Sequence, residues 1–180
     1  LSKFVQLKKI LLFLFLFPCL LFVQNKTIDS LKLVLKNAKH DTTRVITLAE
    51  LSRKCDEKDI LIYAEPCVKL AEKNIILGGK YSEIYLKHLA IAYHNIGYLA
   101  NAKGDVPKEL EYWHKSLKIK KEIGDKHGIP TTLFSIGIIF KANGEISKAL
   151  DYYHKSLRIY DEIGYKLGIA SSSGRIGIIY

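Results

Sequence analysis

Sliding the sequence past itself by forty residues lays Gly97–Ile129 over Gly137–Ile169 with 17 of 33 positions identical, where chance supplies about two. The coincidences include Gly97/Gly137, Gly104/Gly144, Leu110/Leu150, Tyr112/Tyr152, His114 to Leu117 against His154 to Leu157, and Glu122 to Gly124 against Glu162 to Gly164. Gly177 opens a third copy. A period of that length confines the chain to an array of supersecondary units, each too small to bury its own apolar face. The unit reads as two helices, in the second copy Thr131 to Ala142, a turn at Asn143-Gly144, then Ile146 to Ile163 closed by Gly164. In the longer helix Ile146, Ala149, Leu150, Tyr153, Leu157 and Tyr160 recur at three- and four-residue steps, which makes one apolar stripe. Stacked units bury that stripe, with small residues where backbones approach.

Gly137, Phe140, Gly144, Ala149, Tyr153 and Ser156 resemble the tetratricopeptide repeat signature, in which a small residue and an aromatic on the first helix meet a small, an aromatic and a small residue on the second. The likeness is to a forty-residue variety, with the extra length in Glu122 to Ile129 and Glu162 to Ile169. The first copy departs at Ala100, where Phe140 sits, and at Glu109, where Ala149 sits. The resemblance implies an all-α, right-handed superhelical solenoid of antiparallel helix pairs. Its repeat-packing positions would be Gly97, Trp113, Ser116, Gly137, Phe140, Ala149, Tyr153, Ser156 and Gly177. Upstream, Tyr63 to Lys73 is similar to a second helix, with Cys67 at the position of Ser156, and Thr43 to Cys55 supplies its first helix. The array then divides into a leading helix over 25–41, a divergent unit over 43–77, units over 82–125 and 130–165, and the start of another over 170–180.

Residues 1–24 follow a different rule. Three lysines (Lys3, Lys8, Lys9) precede an uncharged, largely apolar run from Ile10 to Val23, the layout of a secretory signal. Fourteen residues at 1.5 Å each reach about 21 Å, short of a ~30 Å hydrocarbon core, so export is favoured over a spanning anchor. An uncleaved anchor, with membrane contact through residues 10–23, is the alternative. On this reading the protein is periplasmic or faces outward from the cytoplasmic membrane. The sequence holds no methionine and its apolar helical pattern runs uncapped to Tyr180, so it is read as the front portion of a longer protein, of the kind that places sensory repeats ahead of a signalling output.

The resemblance implies a function: first helices would line an inner surface that offers a groove to another polypeptide. By the resemblance, the inward positions are Ile91, His94, Tyr98 and Asn101 in one unit and Thr131, Phe134, Ile138 and Lys141 in the next. His94, Tyr98, Asn101, Phe134, Ile138 and Lys141 are the candidate groove residues, with His94, Asn101 and Lys141 read as the exposed ones. The net charge is +10, or +7 without the leader, and Lys115, Lys118, Lys120 and Lys121 cluster. A basic nucleic-acid-binding solenoid is therefore the competing reading, opposed by the leader and by the lack of a repeated base-reading pair. Self-association through the end face at Ile176 to Tyr180 is a third. No catalytic motif occurs, and Glu109, Glu111 and Glu122 read as surface carboxylates. No cofactor or metal is expected, since His114 and His154 recur without a third ligand. Cys55 and Cys67 stand too far apart along their helices to bridge and are read as free thiols.

Overall fold

The computed structural model describes residues 26–180, and the leader read over 1–24 lies outside the described residues. Among the described residues eight α-helices follow one another with short connections: α1 over 26–37, α2 (Asp41–Lys54), α3 (Ile60–Leu77), α4 (Ser82–Ala102), α5 (Val106–Glu122), α6 (Gly128–Ala142), α7 (Ile146–Glu162) and α8 (Lys166–Gly177). A short 3₁₀ turn at Glu57–Asp59 joins α2 to α3, and no strand occurs among the described residues. From α2 onward each helix packs on the next, so α2–α3, α4–α5 and α6–α7 are antiparallel hairpins stacked in chain order into a solenoid.

Two hairpin turns show why the same residues recur. Gly104 and Gly144 adopt φ +70° and +78°, where a side chain is strained. That left-handed step brings the N–H of Asp105 to the carbonyl of Ala100 at 2.9 Å and the N–H of Glu145 to that of Phe140 at 2.8 Å, satisfying carbonyls the ending helix leaves open. Asp105 then starts α5 by accepting the N–H of Lys108.

Two elements begin earlier than the periodicity predicts. α6 starts at Gly128, not Thr131, because the Asp125 carboxylate accepts the Gly128 N–H at 2.8 Å and Pro130 falls in the first turn, where its missing N–H is not needed. α8 likewise starts at Lys166 instead of residue 170.

The interior divides along the array as nearest-neighbour packing requires. One apolar cluster joins α2, α3 and α4 around Val45, Ala64, Tyr85 and Ile96. A second joins α5, α6 and α7 around Leu117, Ile136 and Tyr153. α5 serves both, with Ile119 in the first cluster and Trp113 and Leu117 in the second.

Candidate partner groove

Close approach within each hairpin is made by glycine against an aromatic ring. A Cβ placed on Gly97 would stand 2.1 Å from Trp113 Cδ1, and one on Gly137 would stand 2.7 Å from Tyr153 Cε1. Ala149, Tyr153, Ser116 and Ser156 are fully enclosed. Both serines donate to the first helix of their own unit, Ser116 to the Ala90 carbonyl and Ser156 to the Pro130 carbonyl, each at 2.8 Å. Cys67 occupies the same station in the α2–α3 hairpin, its Sγ 3.6 Å from the Val45 carbonyl oxygen. Phe140 stacks on Tyr152 with ring centroids 5.4 Å apart. In α8 a close approach to the preceding helix is made by Gly168 against the Tyr160 ring, while a Cβ on Gly177 would meet nothing within 4 Å.

Successive first helices are spaced unequally. α2 packs directly on α4, helped by a buried hydrogen bond from Asn95 Nδ2 to Ser52 Oγ at 2.8 Å, whereas α4 and α6 barely touch. Between α4 and α6 a cleft of about 220 Å³ opens over α5. Tyr98 and Ile138 form its rims at 53% and 38% exposure, Asn101 is exposed at its edge, and Trp113 and Glu109 floor it. Val106, Ser135, Ile139, Ala142 and Asn143 complete the wall.

The six candidate groove residues therefore part company. Tyr98, Asn101 and Ile138 meet in the cleft. His94 and Phe134 are half-buried against the aromatic of the paired helix, His94 on Trp113 at 4.7 Å between ring centroids and Phe134 on Tyr153 at 5.5 Å. The reading of His94 as an exposed groove residue is corrected by that ring contact: the indole lies over Gly97, where no side chain blocks it, and covers the imidazole. His94 Nδ1 is buried without a hydrogen-bond partner, and burial, seconded by the Lys120 charge, pushes its pKa down to about 4. Lys141 is half-buried and lies outside the cleft lining.

Glu109 was missed. Read as a surface carboxylate, it is 3% exposed in the floor of the cleft. Burial raises its pKa above the usual carboxylate range, and a hydrogen bond with Asn101 partly opposes the shift. The available signal was its register, since forty residues on stands Ala149, an enclosed position. Lys120 is also turned inward, its Nζ donating to Thr132 Oγ1 at 2.8 Å, with its pKa lowered by burial. The basic cluster expected on α5 thus loses a member to the core. His114 bonds the Leu110 carbonyl through Nδ1 and reaches the Tyr152 hydroxyl through Nε2, bridging α5 to α7. Among the described residues no group of three or more His, Cys, Asp or Glu is placed to hold a metal ion. Cys55 and Cys67 are both free, and burial pushes Cys67 up to about 12.

Stacked antiparallel hairpins with an open inner cleft define a helical-repeat solenoid. More narrowly, residues 88–162 match the tetratricopeptide repeat family model. Such repeats are in general protein–protein interaction modules and typically non-catalytic. Among solved structures, the crystal structure of BtubC (BKLC) from P. vanneervenii is similar, with a TM-score of 0.64 at 17% identity over 88% of this chain. The aligned part amounts to 63% of the length of that protein. No curated protein sequence matches the chain.

Proposed function

We propose that this chain is a polypeptide-binding scaffold whose contact surface is the cleft between α4 and α6. The observation that carries the reading is the separation of those two helices, which leaves the large apolar side chains of Tyr98 and Ile138 in solvent above a floor of enclosed groups. Exposed aromatic and aliphatic groups around a recess are what an extended or amphipathic segment uses as anchors. The inward turn of Lys120 weakens the competing nucleic-acid reading, because one of the four lysines that suggested it cannot reach a phosphate.

A peptide selected from a displayed library against the chain tests the surface. Tyr98→Ala and Ile138→Ala should each weaken its binding about tenfold, as truncation of an interface anchor does. Ile62→Ala, at an exposed site on α3, should leave it unchanged. Loss at Ile62 together with indifference at the cleft would move the binding surface elsewhere. We further propose that the scaffold is presented outside the cytoplasm as the front of a signalling protein, supported by the apolar run from Ile10 to Val23. Recovery of the expressed chain only from the cytosol would reject that placement. No helix among the described residues is long and apolar enough to cross a membrane.

A further inference from the structure

At Glu109 the two units part chemically. Forty residues on, Ala149 is completely enclosed and packs where its helix meets α6, while Glu109 puts a carboxylate at the corresponding place in α5. Of its surface, 3% reaches solvent, and that part faces the cleft. No lysine, arginine or histidine lines the cleft, and the side chain that answers the carboxylate is the Asn101 amide. A buried carboxylate with a single neutral donor is incompletely compensated, and an alanine would pack there without that penalty. The position has the properties of an acceptor awaiting a counter-charge.

We propose that the cleft takes a lysine or arginine side chain of the bound polypeptide, with its cationic head on Glu109 and its alkyl stem between Tyr98 and Ile138. The inference rests on the groove reading and narrows it to a partner segment with a basic residue among apolar ones. A cation fits better than an amide or hydroxyl for three reasons. A charge-assisted hydrogen bond is roughly twice as strong as a neutral one and strengthens away from water. The stem of lysine or arginine covers apolar walls while its head reaches a polar floor. The ring face of Tyr98 at the rim attracts a passing cation. The next unit shows the other solution, since Lys141 stands at the register of Asn101 while the carboxylate is absent.

The test uses the 180-residue chain and acetyl-leucyl-arginyl-leucinamide as probe, with its citrulline and glutamate counterparts as controls. Trp113, the sole tryptophan and part of the cleft floor, reports binding by its emission. The arginine peptide should bind about tenfold tighter than the citrulline one, the yield of one charge-assisted contact, with the glutamate peptide weakest. Glu109→Gln should erase that preference. So should Asn101→Lys, an exposed substitution that supplies the carboxylate with a cation from within the chain. Equal binding of arginine and citrulline peptides, or a preference that survives both variants, overturns the inference and leaves the groove reading intact. Failure of all three peptides to bind at millimolar concentration overturns both.

Discussion

The α4–α5 and α6–α7 hairpins differ at 22 of the 35 positions that align between 88–122 and 128–162, yet they use one packing scheme with exchanged parts. Where Gly97 receives an indole, Gly137 receives a phenol ring; where His94 covers the first aromatic, Phe134 covers the second. Each hairpin is latched by a serine hydroxyl on a first-helix carbonyl at the same distance. The substitutions that preserve the scheme are conservative in shape, and the polar ones gather on the earlier hairpin, at His94, Glu109 and Lys120 opposite Phe134, Ala149 and Tyr160. The later hairpin is the drier version of the same object. Polarity inside a repeat that can be built without it points to a demand other than packing.

The largest expected effect comes from breaking the shared scheme. Gly97→Leu should destabilise the chain by about 3–4 kcal/mol, since even its Cβ overlaps an enclosed indole. Gly137→Leu should cost somewhat less, because a Cβ there stands 2.7 Å from Tyr153 instead of 2.1 Å from Trp113. Denaturant unfolding followed at both sites measures the difference, and an unchanged midpoint for either variant would refute close packing of that hairpin.

Acid sharpens the contrast between a titratable and a non-titratable cover. The pKa of His94 falls to about 4 in the fold, below an unfolded value near 6.5, so the neutral ring is the folded form. Its contribution is complete above about pH 6.5 and is lost as the pH drops toward 4, amounting to roughly 2–3 kcal/mol. Glu109 acts in the opposite sense, since its raised pKa makes the fold prefer the protonated acid. Comparing the chain with His94→Phe isolates the imidazole: the pH dependence of unfolding should flatten between 6.5 and 4. A variant with the same slope would mean His94 is not held neutral.

The smallest effect tests equivalence. Ser116→Ala should cost about 1 kcal/mol, the net worth of one buried hydrogen bond, and Ser156→Ala a few tenths more, because its hydroxyl also lies 3.4 Å from Ser172 Oγ. A gap of more than 1 kcal/mol between them would show that the two latches are not interchangeable.

The repeat, the hairpins and the all-helical class were legible because they depend on spacing, and spacing survives translation along the chain. His94 and Lys120 were not legible, and Glu109 was legible only through its register with Ala149. On an isolated helix each is a polar residue with no visible reason to point inward; the reason is supplied by a neighbour. Trp113 swings over the space Gly97 leaves, and Thr132 at the start of α6 waits for the Lys120 ammonium. The early start of α6 was partly readable in Asp125, three residues before Gly128, but the glycine-rich connector masked it. The cleft itself depends on α4 standing off from α6 while closing on α2. The turns of α4 before His88, with Tyr85 and Leu86 in the first apolar cluster, have no counterpart in α6, and nothing in a forty-residue period encodes them.

Cys67 does for the first hairpin what the serines do for the others, but with sulfur. Its Sγ sits between the carbonyls of Val45 and His88, in contact with three helices at once, and its proton is held well beyond neutral pH. A maleimide or disulfide reagent should therefore find half-buried Cys55 promptly and Cys67 only while α2, α3 and α4 are momentarily apart. The chain thus carries its own stopwatch for the breathing of its leading end, readable as the delayed mass gain when the reagent reaches Cys67.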